Sequence, residues 1–77
     1  MVSLPTVNAQ QIIKILQKLG FEITRQKGSH IRLKHGDGRV VTVPVHSGKN
    51  LGKGLLLKIL RDVQISKEEF VQLLQKN

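Results

Sequence analysis

The apolar residues of this chain change period twice within 77 residues, and that alternation dictates most of what it can fold into. Ile12, Ile15, Leu16 and Leu19 recur at three and four residues, the spacing that gathers side chains along one side of a helix. From Phe21 the spacing drops to two. Phe21 and Ile23 alternate against Glu22 and Thr24, and then Ile31 and Leu33 alternate against His30, Arg32 and Lys34. Leu55, Leu56, Ile59, Leu60 and Val63 return to helical spacing, followed by Phe70, Val71, Leu73 and Leu74. A helix, strands and further helices must therefore follow one another in that order.

Local signals punctuate these runs. Asn8 with Gln11 three residues later has capping-box form, so the first helix starts at Ala9, and Gly20 supplies the left-handed residue that stops it. Gln26-Lys27-Gly28-Ser29 reads as the connection between the first two strands. Gly36-Asp37-Gly38 reads as a tight turn into the third, Val40-Val41-Thr42-Val43. Pro44 has no amide to donate, so pairing ends there and His46 to Asn50 reads as a loop. Ser66 with Glu69 forms a second capping box, opening a short final helix. The expected fold is α+β: α-β-β-β-α plus a short C-terminal helix, an antiparallel three-stranded sheet with the helices on one face and the other face open. At this length, residues 1–77 are expected to form a single domain.

Composition removes several function classes. The chain has no cysteine, so a disulfide framework and a thiolate metal site are both excluded, and the cytoplasm is the default compartment. Its longest aliphatic run, Leu55 to Leu57, falls far short of the roughly 20 apolar residues that span a bilayer. The start, Met1 to Pro5, lacks the basic and apolar regions of a secretory signal. The histidines at 30, 35 and 46 lack the spacing of zinc ligands, and neither a metal nor another cofactor is expected.

Charge points to a polyanion. Thirteen Lys and Arg against five Asp and Glu give a net charge of +8. The excess is local: Arg25, Lys27, Arg32, Lys34, Arg39, Lys49 and Lys53 are opposed between residues 25 and 53 by Asp37 alone. Phe21 and Phe70 both fall on apolar stripes, which leaves no aromatic platform for stacking bases and favours recognition through backbone charge and shape.

If Ile31 and Leu33 point into the helices, His30, Arg32 and Lys34 share the open face. One imidazole among cations suits phosphodiester chemistry, where cations hold the phosphate and the imidazole moves protons near neutral pH. It also suits plain binding. Lys27-Gly28-Ser29 adds a flexible cation, a glycine that lets backbone approach a ligand, and a hydroxyl, all compatible with gripping a phosphate. His46 is a second proton-transfer candidate if the third strand lies beside the second. Asp37 reads as a turn residue, Glu68 and Glu69 as first-turn helix residues, and no paired carboxylates present themselves.

Gly20-Phe21, Arg25-Gln26-Lys27-Gly28-Ser29-His30, Thr42-Val43-Pro44-Val45-His46, Gly54 to Leu60 and Ile65 to Phe70 together strongly resemble the HicA mRNA interferase toxins, in family order and at family spacing. The resemblance covers nearly the whole chain. It implies a double-stranded-RNA-binding-domain-like fold, and the toxin of a type II toxin-antitoxin system: a metal-independent endoribonuclease that cleaves mRNA and arrests translation. It also implies a HicB-like antitoxin that would cover the basic face. The active histidine it implies is His30; a general acid/base role for it, with His46 and Ser29 as assisting candidates, is the reading of the residues themselves. Lys27, Gly28, Arg32, Lys34, Lys49 and Lys53 would hold the RNA backbone, an assignment that rests on charge and alternation more than on the family. The acid that protonates the leaving group stays open among His46, Lys27 and His30 acting through water. Leu56 and Gln64 depart from the family pattern, standing where a hydroxyl residue and a glycine are frequent. Two other readings compete: a non-catalytic RNA-binding module using the same basic sheet face, and an interaction subunit for an acidic protein.

Overall fold

The computed structural model, which describes residues 4–46 and 48–76, begins its first helix where the sequence marks it. The Asn8 side chain accepts from the Gln11 amide at 2.8 Å, and the Gln11 side chain accepts from the Asn8 amide at 2.9 Å. These two bonds close the capping box of α1 (Ala9–Lys18) and satisfy amides that the first turn leaves unpaired. Leu19 ends the helix, and Gly20 turns the chain with φ +102°. A side chain at Gly20 would strain that backbone and would also place its Cβ 2.9 Å from Nε2 of His35.

Three antiparallel strands follow, β1 (Phe21–Lys27), β2 (His30–His35) and β3 (Val40–Pro44), with β2 in the centre. The first hairpin differs from the expectation. Gln26 and Lys27 belong to β1, paired with Ile31 and His30, so only Gly28 and Ser29 make the turn. Gly28 has φ +59° at the first turn position, the geometry of a two-residue hairpin whose twist matches the flanking strands. Pro44 is the last residue of β3, as its missing amide requires.

α2 (Lys53–Val63) and α3 (Lys67–Lys76) complete the chain. Gln64 closes α2 in the left-handed conformation, φ 64°, which explains physically why glycine suits this position. Ser66 accepts from the Glu69 amide at 3.0 Å and so caps α3. The order and the antiparallel sheet agree with the double-stranded-RNA-binding-domain-like fold that the resemblance implies. None of the described helices is long and apolar enough to cross a membrane.

The core lies between the sheet and the helices. Phe21, Leu33, Val41 and Val43 from the strands meet Ile12, Ile15 and Leu16 of α1, Leu56, Ile59, Leu60 and Val63 of α2, and Phe70 of α3, all buried. Leu56, one of the two departures from the family pattern, is thus a core residue. Each fully buried aliphatic or Phe side chain contributes about 1.5–3 kcal/mol of transfer free energy, before the opposing entropy of ordering the chain.

A polar clamp fastens the far end of β2. His35 bonds through Nε2 to the Leu19 carbonyl at 3.1 Å and through Nδ1 to the Asp37 amide at 3.1 Å. Its ring packs edge-on against Phe21, with centroids 5.1 Å apart. Arg39 donates to both oxygens of Asp37 and to the carbonyl of Val63 at the end of α2. The β2–β3 turn is thereby tied to the C-termini of both α1 and α2.

Candidate nucleic-acid interface

Pairing in the sheet decides which side chains share a face, because directly opposed residues project the same way. Leu33 opposes Val41, and Ile31 opposes Val43, so these face the helices. The alternate residues of β2, namely His30, Arg32 and Lys34, consequently lie on the open face, as expected from their spacing, and all three are exposed. Across β3 their partners are Pro44, Thr42 and Val40.

On β1 the alternation is interrupted. Ile23 opposes Leu33 and Arg25 opposes Arg32, leaving Thr24 as an extra residue between them. The Thr24 hydroxyl donates to the Arg32 carbonyl at 3.3 Å. This bulge reverses which residues of β1 point where. Phe21 is buried against the helices and Ile23, though exposed on this edge strand, opposes Leu33 on the same side, yet Arg25 and Lys27, which share their odd numbering, emerge on the open face opposite Arg32 and His30. The result is a ladder of rungs: Lys27·His30, Arg25·Arg32 and Glu22·Lys34.

His30 therefore stands at the hairpin end of the ladder with an ammonium-bearing side chain directly across from it. Among the described residues nothing hydrogen-bonds to its ring, which leaves both nitrogens free for a ligand. Gly28 and Ser29 make the adjacent turn, and the Ser29 carbonyl accepts from the Val45 amide, fastening the chain beyond β3 beside His30. β3 lies beside β2. His46 is exposed past the end of that strand, lining a recess with Asn8, Ala9, Gln10, Val45 and Gly48 at the start of α1. Lys49 occupies the same loop, its amide bonded to the His46 carbonyl at 3.1 Å, and Lys53 begins α2. Neither is a rung of the ladder.

Two members of the basic region behave differently from the rest. Arg39 is held by Asp37 and the Val63 carbonyl, so it serves the fold. Arg25 is the reverse case: sequence alternation hides it, and only the bulge brings it beside Arg32. Among the described residues no three His, Cys, Asp or Glu side chains gather into a set able to hold a metal ion.

A family model described as the HicA toxin of bacterial toxin-antitoxin systems matches residues 9–65. The chain belongs to the HicA toxin family. The matched span of this HicA chain runs from the first residue of α1 past the end of α2, and so contains the whole sheet and every rung of the ladder. A comparison with curated proteins finds no match. Membership in a toxin-antitoxin family implies an antitoxin partner.

Proposed function

We propose that this HicA chain is an mRNA-cleaving endoribonuclease in which His30 is the catalytic acid and base. The observation that carries the reading is the Lys27·His30 rung: an exposed imidazole faces a lysine at the head of a cationic, open sheet face. RNA offers such a face both its anionic backbone and an internal nucleophile. His30 would take the proton of a ribose 2′-hydroxyl as its oxygen attacks the adjacent phosphorus. Lys27 would stabilise the negative charge that develops on the phosphorane oxygens. The 5′-oxygen leaves as it receives a proton from His46, from Lys27 or from protonated His30 through water. The products are a 2′,3′-cyclic phosphate and a 5′-hydroxyl, so atoms and protons balance with no co-reactant.

Lys27, Arg32 and Lys34, with Lys49 and Lys53 outside the ladder, would hold the RNA backbone, and Gly28 and Ser29 would let the turn approach a phosphate. A HicB-like antitoxin would arrest the toxin by covering this face, and its acidity would speed the encounter. The free His30 ring favours a second reading, a binding module in which the imidazole only donates to phosphate, because general bases are often oriented by a neighbouring group.

Substrate substitution separates the two. An RNA carrying a single 2′-deoxy nucleotide at the mapped cut should resist cleavage there while binding as before, and the cut ribose version should carry a cyclic phosphate. Cleavage of the deoxy substrate would refute attack by the 2′-hydroxyl, and binding without cleavage of any ribose transcript would leave the module.

A further inference from the structure

How an RNA substrate would lie on the ladder depends on the second rung. Arg25 and Arg32 are directly opposed across neighbouring strands, both exposed. Like charges in that position destabilise a sheet. Among the described residues neither arginine takes part in an ion pair, whereas Arg39 has Asp37. The fold nevertheless makes this arrangement, and it does so through the bulge at Thr24. Unbroken alternation would set Thr24 opposite Arg32 and turn Arg25 toward the helices.

Two positively charged forks side by side, with no carboxylate between them, are suited to one anion with several oxygens. Guanidinium groups bind phosphate through paired N–H donors, and strands about 4.8 Å apart allow both forks to reach the same group. Along β2, His30 and Arg32 are two residues apart, about 6.8 Å on the strand repeat. That step is comparable with the distance between successive phosphates of an extended polynucleotide. At the next rung Glu22 opposes Lys34, so the charge there is balanced and Lys34 holds a further phosphate less strongly than the arginine pair does.

We infer that Arg25 and Arg32 together clamp the RNA phosphate neighbouring the one at His30, so that a single strand runs along β2 from the hairpin end toward Lys34. The inference rests on the ribonuclease reading for the identity of the ligand, and it adds Arg25 as a binding residue together with the register of the substrate. The Thr24 bulge is the positioning device.

The test is equilibrium binding of a fluorescent 2′-O-methyl oligonucleotide, which lacks the nucleophile and stays intact, across a salt series. Wild type, Arg25→Ala and Lys67→Ala are compared; the last removes an exposed charge on α3, away from the sheet. Loss of one phosphate contact should make the slope of log K against log salt shallower by about 0.7 and weaken binding about fivefold at roughly 0.1 M salt. Lys67→Ala should leave the slope unchanged. Thermal melting supplies a readout that a structural role would move the other way: Arg25→Ala should melt at or above the wild-type temperature, because it relieves the opposed charges. Equal slopes for the two variants, or a lowered melting temperature for Arg25→Ala, overturn the clamp while leaving the ribonuclease reading intact. Failure of wild type to bind the oligonucleotide at low salt overturns both.

Discussion

Gly20→Ala should be among the more damaging single-methyl additions available in this fold, and the structure gives its parts. The backbone at φ +102° costs an L-residue about 1–2 kcal/mol. The new methyl would lie 2.9 Å from His35 Nε2, so the ring must move. Moving it endangers the 3.1 Å bond to the Leu19 carbonyl, a net contribution of about 1 kcal/mol, and disturbs the edge-on packing against Phe21. The smaller entropy of an unfolded chain with alanine offsets about 0.4–1 kcal/mol. The net loss is about 2–3 kcal/mol, equivalent to a fall in melting temperature of roughly 10–20 °C for a domain of this size. Urea denaturation followed by circular dichroism measures it directly. In a His35→Ala background the clash has no partner, and the penalty should shrink to the backbone part, about 1 kcal/mol. Equal penalties in the two backgrounds, or a loss below about 0.5 kcal/mol in the first, would contradict the clash with His35.

Other consequences are as direct. Gln64→Gly removes the left-handed strain at the end of α2 and should stabilise by about 1 kcal/mol, read as a melting temperature about 4–8 °C higher. The Asp37 carboxyl is held below the usual carboxylate range, first by the Arg39 amide that donates to it and then by the charges of Arg39 and His35. A lowered value means that its stabilising contribution is present above the unfolded carboxyl value of about 3.9 and is lost as pH falls through the folded value. Asp37→Asn should therefore melt lower than wild type at neutral pH, with the gap closing in acid. Lys27→Ala should slow RNA cleavage by about 10- to 100-fold, at or below the loss typical of a buried charge-stabilising donor because Lys27 is exposed, with no change in melting temperature. Single-turnover kinetics would check that, and an unchanged rate would remove Lys27 from charge stabilisation.

Much of this fold is legible because each local signal has one physical outcome. Asn8 with Gln11 can satisfy two orphaned amides only by starting a helix, and Gly20 is required where the chain turns left-handed. The parity of Ile31 and Leu33 places His30, Arg32 and Lys34 on the opposite face. What escapes the pattern is a single residue. Threonine is at home in a strand, so nothing in its identity marks Thr24 as the bulge, yet one extra residue reverses the facing of Arg25 and Lys27. The same omission explains why Lys27 reads as turn: without the bulge Gln26 would oppose His30, and Lys27, Gly28 and Ser29 would be left between the strands. Charge counting has its own blind spot: it treats Arg39, fixed between Asp37 and a helix end, like Arg25, which is solvent-exposed and free of ion pairs with the described residues. His35 shows a third kind of difference, a strand histidine whose ring bonds the Leu19 carbonyl and the Asp37 amide, which no spacing rule reveals.

On the proposed mechanism His30 performs the chemistry and does not merely bind. The direct measurement is cleavage of an mRNA transcript by purified wild type and His30→Ala in the presence of a chelator, with binding followed in parallel and folding checked by circular dichroism. Fragments from wild type that are lost with the folded alanine variant, while its RNA affinity persists, are the expected result. Equal cleavage by the two proteins would contradict the assignment of His30.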